Sequence, residues 1–201
     1  MTLAILLVRH GESEANTRNM LVSDRFDPQL TDRGRKDTEA LAKRWEAQPI
    51  RAIYASPLAR TIETARIWAD RLHIDTVHTD DRLHEIHLGA FDGRTIDDLM
   101  QNQLQDYTRW KQDPESPPLG GEQLSTVWTR MHEFLLTLTR THDRGLVVGI
   151  THADCLKAVS LGILRAPWNS AQYLHFANVA GLLIEHVNEH FQLHALPAIP
   201  L

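Results

Sequence analysis

The sequence predicts an α/β fold: a three-layer α/β/α sandwich around a mostly parallel central sheet, with a C-terminal antiparallel edge hairpin and a small inserted lid. Three observations predict it. Apolar runs without polar alternation, at Ala4–Val8, Ala52–Ala55 and Leu146–Ile150, have the pattern of strands buried on both faces. Helical patterns lie between them, and alternation of strand and helix goes with a parallel sheet. Near the C-terminus, Leu182–Val187 and Phe191–Leu196 flank Asn188-Glu189-His190, and the second segment alternates as a hairpin strand does.

The elements follow in order. After the first apolar run, Thr31 can N-cap a helix through about Gln48, with Thr38, Leu41, Ala42 and Trp45 on one face and Pro49 just beyond. Ser56-Pro57 reads as an N-cap followed by an N1 proline, and Leu58, Ile62, Ala65, Ala69 and Leu72 then recur at helical spacing. Residues 86–120 are polar, irregular and rich in Asp, Gln and Pro, and read as an inserted cap or lid rather than core. Leu124, Val127, Trp128, Met131, Phe134, Leu135 and Leu138 form the clearest amphipathic stripe of the chain.

Composition narrows the function classes. The 201 residues are 42% hydrophobic, enough for one substantial core, so a single domain spanning 1–201 is expected. Net charge is −5 without a block of like charge, which argues against nucleic acid or an anionic membrane as partner. No apolar run approaches the roughly 20 residues of a membrane span. The N-terminal run has no basic region before it and is short for a signal peptide. With one cysteine, Cys155, no internal disulfide can form, and a reducing, cytoplasmic location is expected. The edge hairpin is expected to be either an exposed edge or the contact of a homodimer.

Ligands of open α/β sheets bind beyond the carboxyl ends of the strands. There the first run delivers Arg9 and His10. The second delivers Ser56, Pro57 and, one turn on, Arg60. The third delivers Thr151 and His152. Any one of these is unremarkable: a lone strand-end Arg is usually solvated, and Arg60 can pair with Glu63 within its own helix. Four cationic or potentially cationic groups at three ends of one sheet edge, each opening on a helix N-terminus, describe an anion site. Two arginine forks match phosphate geometry. One neutral imidazole can attack phosphorus, and one imidazolium can stabilise its equatorial oxygens.

The stretch "LVRHGESEAN" at 7–16 resembles the signature of the histidine phosphatase superfamily, which includes cofactor-dependent phosphoglycerate mutases and many phosphatases. "LTDRGRKDTEALA" (30–42), "YASPLARTIETA" (54–65), "LHEIHLGAFDGRT" (83–95), "PLGGEQLSTVWTRM" (118–131) and "GITHADCLKAV" (149–159) resemble later family segments in the same order. The resemblance implies that His10 is the phosphorylated nucleophile and that Arg9, Arg60 and His152 hold the phosphoryl oxygens. It implies further polar contacts to phosphate from Ser13 and Asn16, and a proton donor at Glu85. It implies no metal and no cofactor.

Two departures from the pattern stand out. Thr151-His152-Ala153-Asp154 replaces the usual His-Gly-Gly, although Ala153 keeps its backbone N–H for phosphate. Met20–Phe26 lacks a glycine that many members carry.

Within the resemblance, a phosphatase is favoured over a phosphoglycerate mutase-type transferase. Residues 88–119 carry three basic side chains (Arg94, Arg109, Lys111) against six acidic ones (Asp92, Asp97, Asp98, Asp106, Asp113, Glu115), a poor clamp for a second phosphate. The "GAFDGRT" turn and "PPLGGEQL" look more like broad-specificity and α-ribazole phosphatases. Phe91, Trp110 and Leu119 offer apolar surface over a leaving group, though Trp110 can equally anchor the lid. A binding protein without turnover finds no support, since nucleophile, clamps and acid are all present. The substrate expected is a small phosphorylated metabolite. A metal hydrolase built on His84, Glu85 and His87 is disfavoured, because "HEIH" lacks the spacing of a helix-face H-E-x-x-H pair. His186 and His190 fall on a hairpin, and both pairs read as surface histidines. Cys155 reads as buried and inert.

Overall fold

The computed structural model describes residues 3–194. It contains strands β1 (Leu3–Arg9), β2 (Ile50–Ala55), β3 (Val77–Thr79), β4 (Gly145–Thr151), β5 (Gly181–Val187) and β6 (His190–His194). The helices are α1 (Glu14–Thr17), α2 (Asp32–Trp45), α3 (Ala59–Leu72), α4 (Ile96–Asn102), α5 (Leu104–Gln112), α6 (Leu124–Thr141) and α7 (Ala153–Leu164). The six strands form one sheet in the order β3-β2-β4-β1-β5-β6. β1 runs parallel to β4, and β2 is parallel to both β4 and β3. β5 is antiparallel to β1 and pairs with β6 as a hairpin. The mostly parallel sandwich with an antiparallel edge is therefore the fold. Among the described residues no helix is long and apolar enough to cross a membrane.

The unbroken apolar run of β1 follows from its central place. Leu6 and Val8 face the layer of α2 and α3, with Ala42, Ala65 and Trp68. Ile5 and Leu7 face the opposite layer, with Phe134 of α6 and Val159 of α7. Helix α2 begins where Thr31 accepts a hydrogen bond from Gly34 N and buries Thr38 and Ala42. At the hairpin, Asn188 and Glu189 both adopt positive φ (48° and 65°), as a two-residue turn matching strand twist requires. The part of the second hairpin strand expected beyond His194 lies outside the described residues.

Two local expectations need correction, and one strand is additional. Ser56 does not cap α3: the helix starts at Ala59 with Leu58 as N-cap, and its first N–H is received by the Asp27 carboxylate, both oxygens at 2.8 Å. β3 has no counterpart among the apolar runs, because one partly buried and two exposed residues at an edge carry no such pattern. Residues 86–120 are not merely a polar lid. They contain α4 and α5, and Ile86, Leu88, Phe91, Leu99 and Trp110 are buried in the same core as α6 and α7. Trp110 thus anchors the segment. Leu119 is 89% exposed and shields nothing.

Where the strand ends meet α2, two glycines allow a close approach. A Cβ on Gly34 would lie 2.1 Å from the Glu12 carbonyl oxygen, and one on Gly11 would lie 2.7 Å from the Gly34 carbonyl. Both contacts are to backbone, so neither can relax cheaply. Gly34→Ala is expected to lower stability by at least the ~1–3 kcal/mol of an overpacked site, read as a loss in denaturant midpoint. An unchanged midpoint would show that α2 can retreat from the loop after His10.

Candidate active site

The β1 and β4 registers put Arg9 opposite Thr151, so the next residues, His10 and His152, lie side by side at the carboxyl edge. Their ring centroids are 5.3 Å apart. Arg60 arrives from the first turn of α3, fully buried, and Glu85 from the irregular segment after the 81–83 turn. Arg9, His10, Asn16, Arg60, Glu85 and Ala153 open together on a cavity of about 460 Å³. His152 stands directly behind them with no exposure.

The hydrogen bonds fix the state of each ring. His10 Nδ1 lies 2.7 Å from the Gly11 carbonyl. A carbonyl only accepts, so Nδ1 carries the proton and Nε2 keeps its lone pair. Burial, then Arg60 and Arg9, push His10 well below the usual imidazole range, which keeps it neutral. His152 Nε2 lies 2.9 Å from Ser56 Oγ, while its Nδ1 faces Arg60 Nη2 at 3.4 Å. The guanidinium can only donate, so Nδ1 accepts and Nε2–H donates to Ser56. Burial first, then Arg60 and His10, hold His152 well below the ordinary value too. Burial and the neighbouring guanidiniums thus work against an imidazolium at this position.

Both arginines are fastened on one side and free on the other. Arg9 Nη1 donates to the Phe176 carbonyl at 2.7 Å. Arg60 Nη2 donates to Val22 O at 3.3 Å, and Nη1 stands 3.7 Å from Asp27. Among the described residues Arg9 Nε and Arg60 Nη1 are buried donors without an acceptor, an arrangement that an oxyanion satisfies.

Glu85 Oε1 accepts from Ile86 N at 2.9 Å, and Oε2 lies 3.9 Å from His152 Nδ1. Burial, reinforced by the charge of Asp154, raises its carboxyl to about 7 against the pull of Ile86 N–H, Arg60 and Arg9. Near neutrality this carboxyl can both give and take a proton, the property asked of an acid–base group.

A family model for the histidine phosphatase superfamily (branch 1) matches residues 5–198. The chain belongs to the histidine phosphatase superfamily. It is an enzyme of the phosphatase type. Among its relatives is phosphoserine phosphatase 1 of Hydrogenobacter thermophilus, 32% identical over 161 residues, covering 80% of this chain and 75% of the relative. Another is the 2,3-bisphosphoglycerate-dependent phosphoglycerate mutase of Thermoplasma acidophilum, 31% identical over 158 residues, with 79% and 74% covered. The solved structure of YhfR from Bacillus stearothermophilus superposes with a TM-score of 0.90 at 28% identity, covering 98% of both chains.

In this histidine phosphatase, Ser13 is not in the cavity. It is fully buried, and its N–H and hydroxyl both bond Asn16 Oδ1, at 3.0 and 3.1 Å. The same oxygen accepts from Asn178 Nδ2 at 3.1 Å, so Ser13 supports Asn16 rather than meeting phosphate. Ala153 is the first residue of α7 and lines the cavity.

Several contributors escaped the sequence. Ser56 orients His152. Arg130 of α6 pairs with Glu122 and donates to the carbonyls of Arg82, His84 and Glu85 at 2.7, 2.7 and 3.3 Å. Both residues sit in "PLGGEQLSTVWTRM", whose resemblance to the family was the one signal that could have found them. Asp154 points into the cavity with Lys157 at 2.8 Å and Lys111 nearby. Burial opposes its charge, but Lys157, Lys111 and Arg9 outweigh that and keep it ionised. The acidic surplus of the 88–119 segment does not reach the cavity. Asp98 pairs with Arg94, Asp106 with Arg109, and Glu115 receives Ser125. Lys111 is the charged residue of that segment that lines it. Cys155 is buried, with its thiol pushed up to about 12 by desolvation, and is inert.

Proposed function

We propose that this chain hydrolyses small phosphomonoesters, without a metal, through a phosphohistidine at His10. The observation that carries this reading is the His10 Nδ1–H···O=C bond to Gly11, which leaves Nε2 as a neutral nucleophile among cationic donors. In the first step Nε2 forms a bond to phosphorus as the ester P–O bond breaks. The Glu85 carboxyl gives its proton to the leaving oxygen. In the second, the Glu85 carboxylate takes a proton from water as the water oxygen bonds to phosphorus. The N–P bond breaks and inorganic phosphate leaves. Arg9, Arg60, Asn16 and the Ala153 N–H hold the non-bridging oxygens, and His152 positions Arg60 and Glu85.

Lys111, Lys157 and Asp154 also line the cavity and sum to a single positive charge. That suits a leaving group bearing one carboxylate and not a second phosphate dianion, in keeping with hydrolysis rather than mutase transfer. Phosphoserine, the substrate in a relative's name, carries one such carboxylate, and its ammonium would face Asp154. A cytoplasmic setting belongs to the same reading, supported by the lone, buried Cys155.

The test is phosphate release from a panel of phosphomonoesters by chelated enzyme. Turnover should persist after chelation. Carboxylated esters should show lower KM than plain alkyl phosphates, and Lys111→Ala should erase that preference while sparing aryl phosphates. Activity lost on chelation and restored by a divalent ion would overturn the metal-free mechanism.

A further inference from the structure

The histidines of "HEIH" are not independent surface groups. His84 Nε2 lies 3.0 Å from Asp24 Oδ1, and His87 Nδ1 lies 2.6 Å from Asp24 Oδ2. The two rings stack with centroids 5.3 Å apart and planes 24° from parallel. One ligand atom from each of the three residues falls within 4.8 Å of the others. We infer that Asp24, His84 and His87 form a binding site for a divalent transition ion of the Zn²⁺ class on the outer face of the active-site wall.

The geometry around His84 supports an ion there. His84 Nδ1 lies 2.9 Å from the Glu85 carbonyl and so carries a proton. Its Nε2 faces Asp24 Oδ1, so an imidazole nitrogen and a carboxylate oxygen converge on one point of this wall. A ligating imidazole whose other nitrogen donates to a carbonyl is also the usual outer-sphere arrangement of a metal-bound histidine. Two imidazole nitrogens and one carboxylate suit zinc, cobalt or nickel rather than calcium or magnesium, and leave a position for water.

The ligands stand on backbone that is already held. The N–H groups of Ser23, Asp24 and Arg25 all donate to the Asp92 carboxylate, at 2.8, 3.0 and 2.8 Å. His87 N donates to Glu122 Oε2 at 3.2 Å, and Glu122 N returns a bond to His87 O at 2.8 Å. The side chains of Asp24 and His87 are about half exposed, at 53% and 51%, so an ion can reach them from solvent. Val22 and Leu88, beside these ligands in the chain, line the phosphate cavity. A bound ion would therefore tie the 22–25 loop to the 84–88 segment behind the catalytic wall, without taking part in the reaction.

The experiment is titration of chelated full-length protein with Zn²⁺ by calorimetry, and with Co²⁺ by visible absorption. One ion should bind per chain, Co²⁺ should give the intense band of a four-coordinate N/O site, and Zn²⁺ should raise Tm. Asp24→Asn and His87→Ala should each weaken binding by at least ~10-fold, the low end of what losing even an outer-sphere partner costs. Each should also lose the Tm shift, while His186→Ala should change nothing. Circular dichroism of the apo variants shows whether they fold, and exposed His87 makes its variant the safer of the two. No binding by the parent, or equal binding by folded His87→Ala, would overturn the assignment. None of these readouts depends on turnover, so they fail or succeed separately from the phosphatase mechanism.

Discussion

His10→Ala should fold and still bind inorganic phosphate, yet release product about 10⁶-fold more slowly, the scale seen when a covalent nucleophile is deleted. The side chain is small and its one hydrogen bond is to the neighbouring Gly11 carbonyl, so the loss is chemical rather than structural. The arginine donors remain, fastened by Phe176 O and Val22 O. Acid-quenched parent enzyme should carry an acid-labile, alkali-stable phosphate, and the variant none. Label that persists in the variant would move the nucleophile elsewhere.

Glu85→Gln should slow the phosphorylation step for an alkyl phosphate by roughly 10²–10⁴, the range of general acid catalysis. The glutamine keeps the size of the side chain and can still accept from Ile86 N, but it has no carboxyl proton to give. A nitrophenolate leaves as a stable anion and should be affected far less. Single-turnover rates are the measurement, because the later hydrolysis step needs the same carboxylate for every substrate. The pH profile supplies a second check. With the Glu85 carboxyl raised to about 7, the acid form is present below that pH and lost above it. Alkyl phosphate cleavage in the parent should fall as pH rises through about 7, and the variant should lose that descending limb. Equal losses for both leaving groups would make Glu85 structural.

The strand ends were legible because their chemistry is local. An apolar run says where a buried strand stops, and the next one or two residues then name the group delivered to the edge. Arg9, His10 and His152 were found in this way. Partners that meet only in three dimensions were not legible. Ser56 looked like a helix cap because Ser-Pro is good cap chemistry, but Asp27 took that place from a distant loop and left the hydroxyl for His152. Asp24 is far in sequence from His84 and His87, so no spacing rule could join them. Net charge also misled over the 88–119 segment, because a sum over residues ignores which side chains turn outward into salt bridges. Ser13 failed for a related reason: a hydroxyl beside a signature histidine can serve the ligand or the residue that serves it, and only the fold decides.

The pairing of β1 with β4 has a consequence for how this enzyme comes into being. Those strands are separated by most of the chain, yet their alignment alone sets the spacing of the two histidines. A slip of one residue would shift one ring by about 3.3 Å along the strand and turn its side chain to the opposite face. The sheet is thus the ruler by which the catalytic groups are spaced. Such long-range pairing is closed late and slowly during folding, since loop-closure entropy must be met before the contact rewards it. On refolding from denaturant, helical signal should return ahead of activity, and catalytic competence should arrive only with correct alignment of the two central strands.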